Sequence, residues 1–401
     1  MSQEGEHSKP PSVASRRAPG LVLTLLKYAA TKQPSTPPNH PGPLEFDDSQ
    51  LQHVIDAGLA PLMYRAIRAR IDRLPATWRD ALLSADLTAK VRHGNLIDTA
   101  NEIVDTCRDL QVPITLLKGI SISDQHYPLG HLRPMGDIDI LLPERSCAAI
   151  ESALLRRGYI QNAKHEVRED SHHGSPLFHP QRDVWVELHT GLFRKSSSLL
   201  HNTVFSPSQI AAQSVASTFH GKPVQRLTDE LQLVYIASSW IKDLFQSGVH
   251  PSFVNSLLDA IYLLKASGRA LDWDGMIGWL DNNMAIASLY LLLAYLSQQG
   301  LDHSGDPILP GLASKQDIVG PAELKIIHAI VHNYLVDARP FSRVFTEWHA
   351  TIVLNTLLGP GSHAAKLLSL PWNLAFPPGL PDRYTVRFQL ARISRALRRE
   401  D

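Results

Sequence analysis

The sequence predicts an α+β protein in which a small mixed sheet with helices is flanked by N-terminal and C-terminal helical regions. Apolar residues recur at helical spacing on both sides of the centre, and short β-rich runs bounded by glycine or proline lie within residues 112–195. The chain has 401 residues, which exceeds the size at which one core usually keeps growing. Its 44% hydrophobic content provides a substantial core and excludes global disorder.

The first 111 residues are predicted to be mainly helical. Residues 1–19 are predicted to be a disordered tail and residues 33–46 a Pro-rich insertion, because proline fixes φ and removes a hydrogen-bond donor. A short helix is expected between them, at about 20–31. From residue 49 to 112 the apolar residues form helical stripes, one of which contains Leu51, Val54, Ile55, Leu59, Leu62, Met63 and Ile67. Residues 20–111 are therefore predicted to be an N-terminal helical region.

Residues 112–195 are predicted to contain the sheet. Strong strands are expected at 112–119, 136–143 and 184–189, and each is apolar on at least one face. A helix at 146–157, stopped by Gly158, and two polar strands within 159–180 lie between the second and third of these strands. Alternation of strands and helices over about 80 residues is typical of one α/β or α+β unit.

Residues 196–401 are predicted to form a C-terminal helical domain. Its expected helices lie at 231–245, 253–264, 273–296, 321–337 and 341–358. A final basic helix contains Arg383, Arg387, Arg392, Arg395, Arg398 and Arg399. A solvated helix face accounts for these arginines, and contact with an anionic acceptor or a membrane surface is the alternative.

The charge balance and the cysteines limit the classes of protein to consider. Lys plus Arg equals Asp plus Glu at 39 each, which argues against a protein held to nucleic acid by a strongly basic surface and leaves a local basic site open. The two cysteines, Cys107 and Cys147, are too few for a disulfide framework or a cysteine-rich zinc site. Since no segment reaches the length of a membrane span, a cytoplasmic protein is expected.

Two strands place carboxylates opposite an apolar row. Asp137 and Asp139 are two residues apart on one strand, so they share a face, while Ile138 and Ile140 point to the other. Glu187 lies on the later strand, opposite Val184, Val186 and Leu188. Two unit charges 4 Å apart repel by about 4 kcal/mol at an effective dielectric of 20, so three converging carboxylates need a proton or a cation. Oxygen ligands favour Mg²⁺ or Mn²⁺ over zinc, and solvated charges on an edge strand are the alternative explanation.

Four motifs together resemble a known family. They are Leu116-Leu-Lys-Gly119, Tyr127-Pro128, Arg133-Pro-Met-Gly-Asp-Ile-Asp-Ile-Leu-Leu142 and Val186-Glu-Leu-His189. This series resembles the bacterial "uncharacterised nucleotidyltransferase" family of the DNA-polymerase-β-like nucleotidyltransferase superfamily, and the resemblance extends over most of residues 50–300.

The resemblance implies a polymerase-β-like catalytic core at residues 112–195. Such an enzyme transfers a nucleoside monophosphate from a nucleoside triphosphate to an acceptor hydroxyl or phosphate and releases pyrophosphate. It implies that Asp137, Asp139 and Glu187 are catalytic and hold two Mg²⁺ or Mn²⁺ ions, with Glu187 as the candidate for taking the acceptor proton.

Residues near the first carboxylates are candidates for nucleotide and phosphate binding: Lys118, Gly119, Ser121, Arg133 and Gly136. Gly119 ends a strand where backbone N–H groups can approach phosphate, and Lys118 and Arg133 supply charge. The superfamily usually has Gly-Ser before this helix, whereas Ser121 follows Gly119 one place late. His189 shares a face with Glu187, so it is a candidate for supporting the metal ligands or contacting the acceptor.

Several features have alternative interpretations. The spacing of four histidines matches no zinc-site template: His165, His172, His173 and His179. The Trp185 side chain either stacks on a nucleotide base or packs against neighbouring side chains. Asp259 is expected to provide a partner in the helical domain or a cap on the site.

The alternatives to a nucleotidyltransferase are a catalytically inactive nucleotide-binding or scaffold protein of the same fold, and a metal-dependent phosphohydrolase that uses water as acceptor. The acceptor is not identified by the sequence: a small molecule, a peptide or a protein is expected, and a nucleic acid stays open.

Overall fold

The computed structural model describes residues 20–31, 46–161, 171–194, 196–198, 203–247, 250–337 and 347–375. Its α-helices are α1 (Leu21–Ala30), α2 (Asp48–Asp56), α3 (Ala60–Ile67), α4 (Ala76–Asp109), α5 (Lys118–Gln125), α6 (Glu144–Arg156), α7 (Pro207–Ala212), α8 (Asp229–Ser247), α9 (Val254–Ser267), α10 (Trp273–Trp279), α11 (Asn283–Gln298), α12 (Leu309–Lys315), α13 (Pro321–Val331), α14 (Glu347–Leu358) and α15 (His363–Ala375). Its strands are β1 (Thr115–Leu116), β2 (Asp137–Leu141), β3 (Ile160–Gln161), β4 (Leu177–His179), β5 (Val184–His189), β6 (Ser214–Phe219) and β7 (Lys222–Leu227).

Most of the expected helices form close to their predicted positions. The helix expected at about 20–31 is α1, and the one at 146–157 is α6. The stretch 273–296 is an exception, because it forms two helices. The first of these helices ends at Trp279, and Asn282, in extended backbone, caps the second, because its side chain accepts a hydrogen bond from the amide of Ala285. The predicted tail at 1–19, nearly all of the insertion at 33–46 and the basic C-terminal helix lie outside the described residues.

The strands form one mixed sheet of seven strands in the order β3-β4-β5-β2-β1-β7-β6. The pairs β2–β5 and β1–β7 are parallel, and the other neighbouring pairs are antiparallel. The sheet continues past residue 195, where we expected the core to end, because the β6–β7 hairpin adds to β1. His220 and Gly221 form its turn at φ values of 47° and 79°, the left-handed conformation typical of a two-residue hairpin.

One face of the sheet, here the back face, packs against α4 and α6. Its residues include Ile138, Ile140 and Val186, which join one buried cluster with helix residues such as Ile103 and Leu154. This arrangement confirms the predicted direction of the apolar row on β2 and β5. A second, larger core unites N-terminal and C-terminal helices, including α1, α8, α9 and α11. Among the described residues no helix combines the length and the apolar character needed to cross a membrane.

Candidate active site

The register of β2 against β5 brings carboxylates from two strands together. Asp139 is paired with Glu187 across the parallel ladder, and Asp137 is paired with Trp185 two residues earlier on the same two strands. Because residues opposite each other in a sheet share a face, Asp137, Asp139 and Glu187 all lie on the front face, away from the back-face core. Asp139 is buried and the other two carboxylates are partly buried. The structure therefore assembles the three carboxylates on one surface.

An imidazole and an ammonium group contact Asp139. The His189 imidazole, which is fully buried, places Nε2 2.7 Å from Asp139 Oδ1 and 3.4 Å from Glu187 Oε2. Lys118 Nζ lies 3.4 Å from the same Asp139 oxygen and 5.7 Å from the centre of the Tyr235 ring. The carboxylate of Asp139 is thus shared between an imidazole and an ammonium group.

These contacts separate the pKa values of the carboxylates. Burial by itself raises the pKa of Asp139, but Lys118 and His189 outweigh it and hold the pKa below its ordinary range. The hydrogen bond from His189 lowers the pKa of Glu187. Burial, then the charges of Asp139 and Glu187, raises the pKa of Asp137 to about 6. Burial lowers the pKa of His189, but its hydrogen bonds to Asp139 and Glu187 outweigh burial, so the pKa is raised.

The backbone at the junction of β1 and α5 places Lys118, the first residue of α5, next to Asp139. The amide of Leu117 donates to the Asp139 carbonyl at 3.1 Å, which continues the sheet contact past the end of β1. Lys118 then has a φ of 40°, in the left-handed region that non-glycine residues rarely adopt. No side chain caps the N-terminus of α5, so its first amides are not satisfied in that way.

A polar cavity of about 250 Å³ opens beside Glu187 at the C-terminal end of β5. It is lined by three cationic side chains and three imidazoles, namely Lys118, Arg194, Lys242, His172, His173 and His189. The rings of these histidines are 4.9–5.4 Å apart between centroids. Burial, then the charges of His189 and His173, lowers the pKa of His172 to about 2, which keeps its ring neutral. The remaining positive charge makes the cavity suited to an anion.

The two candidate glycines differ in their surroundings. A Cβ on Gly119 would lie 2.9 Å from Met135 Sδ and even closer to Arg133 Nη1, so close packing explains a glycine at this position. A Cβ on Gly136 would meet no atom within 4 Å. Gly136 therefore leaves open space directly before Asp137.

Arg133 and Ser121 have partners other than the carboxylates. Arg133 donates from Nε and Nη2 to the two oxygens of Asp259, at 2.9 and 2.8 Å, and Tyr127 donates to Asp259 Oδ1 at 2.6 Å. The positive charge of Arg133 nevertheless acts on Asp137, where it offsets part of the rise in pKa that burial and the other carboxylates cause. Ser121 is buried, and its carbonyl and hydroxyl accept hydrogen bonds from Arg226. In this conformation both side chains have protein partners, and Asp259 is the partner from the helical region that the sequence suggested.

The donor set fits a divalent cation. Ligand atoms of Asp139, Glu187 and His189 all lie within 4.8 Å of one another, and Asp137 is on the same face. Carboxylate oxygens suit Mg²⁺ and Mn²⁺, and the nearby imidazole adds a nitrogen that Mn²⁺ also accepts. His189 Nδ1 is buried and has no hydrogen-bond partner among the described residues, whereas Nε2 faces both carboxylates. The geometry places His189 inside the group of possible ligands, closer than the supporting position we expected for it.

Sequence reasoning missed much of the cavity. His172, His173, Arg194 and Lys242 come from two loops and from α8, and no spacing along the chain relates them to the Asp pair. Lys242 follows Ser238 and Ser239 by one helical turn and is adjacent to Asp243, so its sequence context resembles that of an ordinary surface lysine. His172 and His173 were noticed only as a poor zinc template, and His165 lies outside the described residues.

The chain matches the model of the family described as "uncharacterised nucleotidyltransferase" over residues 46–299. No curated protein and no solved structure matches the chain. The matched region runs from the start of α2 to the end of α11 and includes the whole sheet and the carboxylate cluster. Because this match covers more than half of the chain, the protein belongs to the family of uncharacterised nucleotidyltransferases.

Proposed function

We propose that the protein transfers a nucleoside monophosphate from a nucleoside triphosphate to an acceptor hydroxyl or phosphate, with release of pyrophosphate, on a polymerase-β-like core. The observation that carries this proposal is the pairing of Asp139 with Glu187 on adjacent parallel strands, with a cationic cavity beside them. Carboxylates suit the cations that accompany a triphosphate, and the cavity suits its phosphates. The family membership supports the same reaction class.

The cationic cavity would receive the β- and γ-phosphates. Lys118 and Lys242 line it together with Arg194, whose planar guanidinium can bind two phosphate oxygens at once. This proposal replaces the sequence-based assignment of Arg133 to the phosphates, because Arg133 is held by Asp259. The open space at Gly136 would let the nucleotide approach the chain beside Asp137.

Asp137, Asp139 and Glu187, with His189 adjacent, would hold Mg²⁺ or Mn²⁺. When bound, two such ions neutralise the triphosphate and lower the pKa of the acceptor hydroxyl.

Glu187 would take the acceptor proton. Its pKa is lowered by the His189 hydrogen bond, so it is ionised at neutral pH and able to accept. As the acceptor oxygen bonds to the α-phosphorus, the bond from that phosphorus to the pyrophosphate oxygen breaks and pyrophosphate leaves. Burial by itself lowers the pKa of Lys118, but the surrounding carboxylates outweigh it and raise the pKa, so Lys118 would stay charged throughout. The chain's own contribution is thus positioning, charge compensation and one proton acceptor.

We also propose a division of labour along the chain. Residues 112–195 would supply the catalytic carboxylates, the helical regions at 20–111 and 196–401 would shape the acceptor site, and the protein would act in the cytoplasm.

The test is incubation of the protein with Mg²⁺ or Mn²⁺ and each of the four α-labelled nucleoside triphosphates in a cell extract that supplies acceptors. We expect pyrophosphate and a labelled acceptor, and we expect Asp139→Ala to reduce both by at least a hundredfold, because it removes the carboxylate shared by the cluster. Asp72→Ala is the control, since the Asp72 side chain is 93% exposed and lies in the 3₁₀ helix Arg68–Arg73 that follows α3.

Two outcomes would contradict the proposal. Release of inorganic phosphate without pyrophosphate would identify a phosphohydrolase. Nucleotide binding without turnover, at equal affinity in wild type and Asp139→Ala, would identify a non-catalytic binding protein.

A further inference from the structure

A row of apolar side chains crosses the open end of the sheet on the same face as the carboxylates. Trp185 pairs with Asp137 on one side and with Phe178 on the other, and Phe178 pairs with Ile160 on the edge strand β3. Opposite residues of a sheet share a face, so these side chains continue the carboxylate face outward. We call Trp185, Phe178 and Ile160 the front row.

Ile160 and Trp185 of the front row are exposed and Phe178 is partly buried, whereas the opposite face of β4 and β5 is buried. Ile160 is 54% exposed and Trp185 36%, while Val184, Val186 and Leu177 on the other face are buried. The Trp185 and Phe178 rings lie 4.8 Å apart between centroids and tilt by 39°, so they form one continuous surface. Isolated exposed apolar residues need no explanation, but an aligned row next to a polar site marks a binding surface.

The order of groups along β5 gives this surface a direction. Trp185, Glu187 and His189 follow one another on the front face at steps of about 6.5 Å. The front row is therefore level with Asp137 and lies on the N-terminal side of Glu187, and the cationic cavity, which includes His189, lies on the C-terminal side. Along β5, Glu187 is placed between an uncharged surface and a positively charged one.

The geometry of in-line displacement determines which of the two surfaces contacts the nucleotide and which contacts the acceptor. If the departing pyrophosphate occupies the cationic cavity, the attacking oxygen must reach the α-phosphorus from the opposite side, which is the side of the front row. The front row contains no charged or hydrogen-bonding side chain apart from the indole N–H. It is therefore suited to an apolar part of the attacking molecule.

We propose that the acceptor carries an aromatic or aliphatic group beside its hydroxyl and that this group packs on Trp185, Phe178 and Ile160. This inference rests on the proposed nucleotidyl transfer and narrows its acceptor class. The acceptor oxygen then lies over Glu187, which takes its proton as the bond to phosphorus forms and pyrophosphate leaves.

The test uses two primary alcohols as probes. One, 2-phenylethanol, carries an aromatic ring, and the other, ethylene glycol, does not. Their binding to the full chain, with Mg²⁺ and a non-hydrolysable nucleotide analogue present, is measured by saturation-transfer NMR. We expect wild type to bind 2-phenylethanol at least tenfold more tightly than ethylene glycol. We expect Trp185→Thr to lose about tenfold of this affinity and Phe178→Thr to lose less.

Val215→Thr is the matched control, because Val215 is a 45% exposed strand residue on β6 at the far end of the sheet. It should change the affinity less than twofold, and thermal unfolding should show that all variants fold. The affinity of Trp185→Thr for the nucleotide analogue should stay within twofold of wild type.

Equal binding of 2-phenylethanol by wild type and Trp185→Thr, or no binding by wild type, would overturn the inference. A tenfold loss of nucleotide affinity in Trp185→Thr would also overturn it, since the front row would then hold the nucleobase. Each of these results leaves pyrophosphate release by wild type unchanged, so failure of the inference is distinguished from failure of the proposed function. Absence of pyrophosphate release from wild type, with the phenyl probe still bound at the front row, would remove the transfer reaction and the acceptor role together.

Discussion

Asp137 shares a sheet face with two other carboxylates, and burial together with their charges raises its pKa to about 6. The ordinary value is 3.8, so between about pH 4 and pH 6 the folded protein binds this proton more tightly than the unfolded chain does. Asp137 therefore lowers the free energy of unfolding as pH rises through this window, and the loss persists above it.

We predict that Asp137→Asn is inactive and more stable than wild type at pH 7. The gain in the free energy of unfolding should be about 1–3 kcal/mol, because the amide removes the buried charge, and it should vanish near pH 4, where wild type carries the proton. Urea denaturation at both pH values measures it. Asp72→Asn should leave stability unchanged at either pH, and a destabilised Asp137→Asn at pH 7 would show that the three carboxylates do not repel one another.

Gly136 and Gly119 provide a matched pair of substitutions near the carboxylates. We predict that Gly136→Ala keeps its stability, since the added methyl meets open space, yet raises the KM for the nucleotide by about tenfold through loss of close approach. Gly119→Ala should instead lower the free energy of unfolding by about 1–3 kcal/mol, because its methyl collides with Met135 and Arg133. Steady-state kinetics and thermal unfolding separate the two effects. Unchanged kinetics in Gly136→Ala would place the nucleotide elsewhere.

At this scale the sequence predicted which sheet face carries the carboxylates, but it did not predict the partner of Arg133. Strand alternation determines the face of Asp137, Asp139 and Glu187 once the apolar positions are known. The partners of Arg133 depend on packing between distant segments, because Asp259 lies on α9. A basic residue close in sequence to the site therefore proved to be held by a helix far along the chain.

A buried ion pair connects the segment before β2 to the helical region. The segment before β2 supplies Tyr127 and Arg133, and α9 supplies Asp259, whose side chain is 4% exposed. Two parallel hydrogen bonds from a guanidinium fix the relative orientation of the two groups. The loop that leads into Asp137 is thereby anchored to α9.

We predict that Asp259→Asn lowers the free energy of unfolding by about 3 kcal/mol, because it leaves the Arg133 charge buried without a partner. Tyr127→Phe should lower it by about 1 kcal/mol. Chemical denaturation gives both values. The paired change Arg133→Met with Asp259→Leu is the control, and it should recover much of the lost stability since no charge stays buried. A loss in the pair as large as in Asp259→Asn would mean that packing, not charge, is what Asp259 provides.

Among the elements, strands with an apolar row were predictable and the added hairpin was not. β2 and β5 each alternate cleanly, whereas β6 is largely exposed and β7 contains Pro223, so neither has a strong period. The signal for this hairpin was its turn, since His220-Gly221 can adopt the left-handed conformation between two short runs. The single helix expected at 273–296 divides because a capping side chain outweighs continuous apolar spacing.

The whole molecule covers the sheet unevenly. α4 and α6 pack on the back face along its length, while on the front face the larger helical core reaches Leu117 and Leu227, near β1 and β7. The front row on β3, β4 and β5 stays exposed. The carboxylates consequently lie where the covered part of the front face ends. Composition and periodicity predicted the helical flanks, but which part of the sheet they leave open depends on tertiary packing that no local pattern encodes.

Direct hydrogen bonding between β2 and β5 has a consequence for how such a chain can diversify. The ladder itself aligns Asp139 with Glu187, so residues 142–183 can change in length outside α6 and β4, which hold the back face and pair with β5, without moving these carboxylates. A residue inserted in β5 before Glu187 would instead turn that side chain to the back face and separate it from Asp139. Substitution is thus physically permitted at Ile160 and Phe178, where it would change the proposed acceptor surface, and is restricted in the two strands that align the carboxylates.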